Sequence, residues 1–69
     1  MQKWKYQILV EYGCDSDTGK WSYRLNGTLQ DAKAESFTDI LNGFGQQGWE
    51  IVSASQHDDG ILYVLKRPL

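Results

Sequence analysis

Hydrophobic and polar positions alternate along the first dozen residues. Trp4, Tyr6, Ile8, Val10 and Tyr12 fall on one side, and Lys3, Lys5, Gln7, Leu9 and Glu11 on the other. A period of two in aromatic and β-branched residues predicts a half-buried strand over 4–12. The run 13–19 is dominated by Gly, Asp, Ser and Thr, which favour turns and end the strand. Alternation resumes over 20–25, with Trp21, Tyr23 and Leu25 on one side and Ser22 and Arg24 on the other. The two runs read as a hairpin with a long loop.

Asn26-Gly27 breaks the second strand, and beyond it the period changes. Phe37, Ile40, Leu41 and Phe44 are spaced i, i+3, i+4, i+7, which is one face of a helix, and Ala34 extends it at i−3. The helix start falls between 28 and 36, with Thr28, Asp31 or Ser36 as cap. Asp31, Glu35 and Asp39 suit the N-terminal half, where the helix dipole favours negative charge. The helix end is sharper. Gly48 suits the first position past the cap, where a left-handed backbone is needed. Phe44 and Trp49 then occupy the two positions that a Schellman motif brings into apolar contact. Gly43 and Gly45 each cost about 1 kcal/mol against Ala inside a helix. Their missing side chains are expected to let the last turn press on the sheet. Strands follow over 49–56 and 61–67, joined by His57-Asp58-Asp59-Gly60, and Pro68 ends the pairing. The expected fold is α+β: a single ββαββ domain spanning 1–69, with a four-stranded antiparallel sheet and one helix on one face.

The stretch 40–53, Ile-Leu-Asn-Gly-Phe-Gly-Gln-Gln-Gly-Trp-Glu-Ile-Val-Ser, and the ending Val64-Leu65-Lys66-Arg67-Pro68 resemble a small bacterial family catalogued as domain of unknown function 4177. The opening Trp4-Lys5-Tyr6 before an apolar strand is similar to that family's start. The likeness covers most of the chain apart from 13–36, and Gly43 departs from the polar helical residue more usual there. It implies a short two-layer sheet-and-helix domain and carries over no catalytic residue.

Composition narrows the field. Sixty-nine residues make one domain at most, and no run of eighteen apolar residues offers a membrane span. The N-terminus lacks the apolar stretch of a signal peptide, and a lone cysteine, Cys14, makes no internal disulfide. A cytoplasmic location is therefore expected. Seven Lys and Arg against nine Asp and Glu give a net charge of −2, which does not suit a dedicated nucleic-acid binder. Three Trp, four Tyr and two Phe can supply a dense core, which a chain this short needs.

No group of residues has the pattern of an active site. His57 sits beside Asp58 and Asp59, but adjacent residues in a tight turn point apart, so a solvated turn is expected. Asp15, Ser16, Asp17 and Thr18 open like a calcium loop, yet Gly19, Lys20 and Asn26 fall where an oxygen ligand, a glycine and a glutamate belong, so an Asp-rich hairpin loop is expected. Asp15 and Asp17 disfavour a thiolate at Cys14, which is read as a non-catalytic loop residue. Glu50 is read as one half of a cross-strand ion pair with Lys66 or Arg67. Trp4, Tyr6, Trp21, Tyr23, Trp49 and Tyr63 are read as core beneath the helix rather than as a base-stacking platform. No cofactor and no metal are expected.

One helix covers only one face of a sheet. Trp4, Tyr6, Ile8, Val10, Trp21, Tyr23, Leu25, Trp49, Ile51, Tyr63 and Leu65 are assigned to the covered face. The open face then carries Leu9, Val52, Leu62 and Val64, rimmed by Lys3, Lys5, Arg24 and Lys66. An apolar patch with a polar rim marks an interaction site. The sequence therefore points to a non-enzymatic module that associates with itself through its sheet, most simply as a homodimer. The alternatives are a binder of a small anionic ligand or nucleotide, held by aromatic walls and those basic side chains, and an adaptor that adds a strand to another protein.

Overall fold

A computed structural model describes residues 2–69. The order is β1 (Trp4–Asp15), β2 (Lys20–Leu25), β3 (Thr28–Lys33), α1 (Phe37–Gln46), β4 (Glu50–His57) and β5 (Gly60–Pro68). The α+β class with one helix and an antiparallel sheet is as expected. The strand count is not: the sheet has five strands in the order β3-β2-β1-β5-β4, so βββαββ replaces ββαββ. β1 lies at the centre, between β2 and the C-terminal β5. α1 carries the chain across one face from the β3 edge to the β4 edge. A 12.5 Å radius of gyration exceeds the roughly 11 Å of a compact chain this long, as a thin slab should.

The additional strand begins at Asn26-Gly27. Leu25 pairs with Thr28, so these two residues form the whole loop. Both have positive φ, 53° at Asn26 and 89° at Gly27. A two-residue hairpin loop needs that backbone, and its twist matches that of the strands. Asn26 is anchored as well: its Oδ1 accepts from the Ile8 N–H at 2.9 Å, and its own N–H donates to the Ile8 carbonyl at 2.8 Å. The following segment, Thr-Leu-Gln-Asp-Ala-Lys, has weak strand propensity, and β2 supplies the ladder it lacks alone. Asp31 therefore lies in β3 and Glu35 before the helix, so neither sits on α1.

The helix starts at Phe37 after Ser36, the latest of the three candidate caps, whose hydroxyl makes no capping bond. Its end is a full Schellman motif. The Trp49 N–H donates to the Phe44 carbonyl at 3.1 Å and the Gly48 N–H to the Gly45 carbonyl at 3.0 Å, with Gly48 at φ 93°. Phe44 and Trp49 join one core cluster. Arg67 lies over the Trp49 ring at 4.5 Å and donates to the Gln47 carbonyl at 3.0 Å, tying this cap to β5. Gly43 and Gly45 do not bring the helix onto the sheet: a Cβ at either would meet nothing within 4 Å. Nothing in the structure explains Gly45.

β1 runs three residues past Tyr12: a bulge at Tyr12 shifts the register, and Gly13, Cys14 and Asp15 then pair with Ser22, Trp21 and Lys20. At the other hairpin His57 pairs with Gly60, so Asp58 and Asp59 form the loop. Gly60, at φ 153°, lies where a Cβ would collide with the Glu11 backbone.

The core is small. Leu9, Leu65, Phe37 and Trp49 are buried, with Trp21, Tyr23, Leu25, Ile40, Leu41, Phe44 and Tyr63 packed around them. Phe37 is the keystone: it stacks on Tyr63 at 5.8 Å, meets the edge of Tyr23 at 5.9 Å and tilts against Trp21 at 5.7 Å. The Tyr63 hydroxyl donates to Glu11 Oε1 at 2.9 Å. Burial, with that carboxylate beside it, pushes the Tyr63 pKa up to about 12.

Candidate interaction surface

Cross-strand pairing locates each side chain on one face or the other. Leu9 lies opposite Leu25 on one neighbour and Tyr63 on the other, beneath the helix, and is fully buried. Alternation then places Gln7, Lys5 and Glu11 on the covered face and Trp4, Tyr6, Ile8 and Val10 on the open one. This reverses the expectation for β1. Leu9 is core, and the aromatic and β-branched set faces outward. Gln7 is buried too, with its Nε2 lacking a hydrogen-bond partner among the described residues. The assignments for Trp21, Tyr23, Leu25, Tyr63 and Leu65 stand.

The open face is a contiguous apolar strip. Across it, Ile8 faces Val64, and Val10 faces Leu62 on one side and Arg24 on the other. Arg24 faces Leu29 on β3. Tyr6 faces Lys66, which faces Glu50. Tyr6 and Leu29 are each 58 % exposed, Ile8 39 % and Trp4 37 %. Leu62 and Val64 are half-buried within the sheet surface. Val52 sits at a bulge on edge strand β4, exposed and away from the centre.

The charged rim is sparser than expected. Lys5 lies opposite Arg67 on the covered side, and Lys3 is exposed just before β1 begins. Lys66 Nζ is 3.5 Å from Glu50 Oε1 and 4.0 Å from the Trp4 ring centroid, so Glu50 is the cross-strand partner expected of it. Arg24 donates to the Gly27 carbonyl at 3.3 Å. Asp31, one row beyond, accepts from the Ser22 hydroxyl at 3.3 Å. Two cations, Arg24 and Lys66, and two anions, Asp31 and Glu50, thus border the strip. The next row, at the loop end, adds Asp15, Lys20 and Lys33.

Elsewhere the chemistry is dispersed. Among the described residues no three His, Cys, Asp or Glu side chains gather as a metal site. His57 Nε2 lies 2.9 Å from the Ser55 hydroxyl, an exposed pair on edge strand β4. The Asp15 carboxylate accepts from the Asp17 N–H at 2.9 Å, closing a turn of the loop. Cys14 is exposed, its thiol 3.7 Å from the Asp15 carbonyl. No described helix is long and apolar enough to cross a membrane.

No family model, curated protein or solved structure matches the chain.

Proposed function

We propose that this protein is a non-enzymatic interaction module that pairs with a second copy of itself, open sheet face to open sheet face. The observation that carries this reading is the exposed strip Trp4, Tyr6, Ile8 with Val10, Leu62 and Val64 beneath a sheet whose other side is already covered. Three quantities support it. The accessible surface is 4900 Å², against about 4,400 Å² for a typical folded monomer of 7.9 kDa. The face is wide enough: five strands at about 4.8 Å spacing, over about eight residues of length, cover on the order of 600 Å². That approaches the ~800 Å² per partner of a standard interface. The border is also mixed in sign, with Arg24, Lys66, Lys20 and Lys33 interspersed with Asp31, Glu50 and Asp15; a two-fold interface sets a surface against itself, so a single-sign rim would repel.

The same border disfavours the anionic-ligand reading. The cations meant to hold an anion do not converge: Lys5 is on the other face, Lys66 is paired with Glu50, and Arg24 lies toward the β3 edge.

Sedimentation at micromolar concentration tests the proposal. The wild type is expected to sediment as a dimer. Ile8→Lys and Val64→Lys are expected to sediment as folded monomers with unchanged far-ultraviolet circular dichroism. A monomeric wild type, or dimers unaffected by both substitutions, would overturn it.

A further inference from the structure

A second surface lies in the other layer. Between α1 and the outer strands β2 and β3 runs an open groove of about 300 Å³. This is at the small end of ligand sites, which span about 300–1,000 Å³. Tyr23 and Phe44 form its apolar corner, with ring centroids 6.5 Å apart at 86°. Ile40 and Ala32 extend the apolar wall, and Asp39 and Gln47 supply the polar atoms.

Gly43 lines this groove, and its presence needs a reason. A glycine inside a helix is unfavourable. Two reasons for keeping one are positive φ and a close neighbour, and neither applies. Gly43 is absent from the positive-φ residues, and an added Cβ would have open space around it. What a side chain at 43 would do is occupy the groove.

The charge of the lining is one-sided. Asp39 is the only carboxylate in its lining, which holds no Lys, Arg or His. Its carboxylate makes no hydrogen bond or ion pair among the described residues, where Lys66 with Glu50 is the one ion pair. An anion would be repelled. A cation would be drawn to this carboxylate and to the aromatic corner beside it.

We infer that the groove binds a small organic cation borne on a flat apolar body, an arylalkylamine in chemical terms, with Gly43 keeping the groove open and Asp39 supplying the counter-charge. The ring packs into the Tyr23–Phe44 corner and the ammonium reaches Asp39. The groove lies on the helix layer, opposite the self-association face, so the two proposals stand or fall separately.

The test is a titration of isotope-labelled protein followed by amide chemical shifts. The probes are phenethylammonium and 3-phenylpropionate, which share a ring and differ in the sign of their charge. Phenethylammonium is expected to bind with roughly millimolar affinity, with shifts centred on Tyr23, Ile40, Gly43 and Phe44. The carboxylate is expected to bind about tenfold more weakly, because it loses both the ion pair and the cation–π contact. Asp39→Asn should narrow that difference to about two- to fivefold, since the charge pair is gone and only the cation–π contact still separates the probes. Gly43→Leu should abolish binding while raising the melting temperature, and that rise shows the variant is folded. The inference fails if the amine causes no localised shifts, if the two probes bind equally, or if folded Gly43→Leu binds as the wild type does.

Discussion

Neighbouring apolar side chains of β1, Leu9 on one face and Ile8 and Val10 on the other, are of comparable bulk and meet opposite fates. Leu9, one residue from Ile8 and Val10, is wholly buried, while Tyr6 keeps more than half of its surface. Propensity does not explain the difference, because the outward set is the more aromatic and β-branched of the two. What separates them is company. Leu9 sits between Leu25 and Tyr63, and Phe37 from the helix closes the space above Tyr63 and Tyr23. Ile8 has Val64 beside it and no layer over it. Burial in a two-layer domain is a property of the layer above, and a strand cannot display it alone.

Breaking the covered face should have the largest effect. Leu9→Ala is expected to cost about 2–5 kcal/mol, as buried Leu truncations do, read as a lowered urea midpoint. Ile8→Ala, one position away, should leave the monomer within about 1 kcal/mol of wild type and weaken only self-association. Equal losses at the two positions would contradict the assignment of faces.

Gly60→Ala comes next. It combines an unfavourable φ with a collision against the Glu11 backbone, and a loss of about 2–3 kcal/mol is expected in thermal melts. Gly48→Ala, strained at φ but with free space around its Cβ, should cost less, about 1 kcal/mol.

The smallest effect concerns Tyr63. Its folded pKa is raised from the ordinary 10.0 to about 12. The neutral phenol is therefore favoured by folding. The stability this contributes is fully present below pH 10 and is lost as pH rises toward 12. Tyr63→Phe should lower stability at neutral pH by about 1 kcal/mol, the worth of one hydrogen bond, and should flatten the alkaline decline in a melting series across that window. An unchanged alkaline slope would remove the Tyr63–Glu11 bond as its cause.

Where the local signal was chemical, the elements were legible in the chain. Gly48 marked the helix end to the residue, because its left-handed backbone is a local requirement met by a local residue. The apolar spacing of Phe37, Ile40, Leu41 and Phe44 marked the helix. β3 is not legible in the sequence, although Asn26-Gly27 is a hairpin signal. The residues after it, Gln30, Asp31, Ala32 and Lys33, favour a strand too little to declare one, and only pairing with β2 makes them part of the sheet.

Sequence by itself determined the α+β class, the alternation of β1, β2 and β5, and the helix and its cap. These follow from periodicity and backbone preference, which act over a few neighbouring positions. Tertiary structure alone decided which face of β1 is core, which cations stand together, and that a groove opens beside Gly43. Alternation is symmetric between its two faces, so nothing within a strand says which one the helix will cover. Cross-strand register breaks that symmetry, and register is set by residues as far apart in the chain as Leu9 and Tyr63.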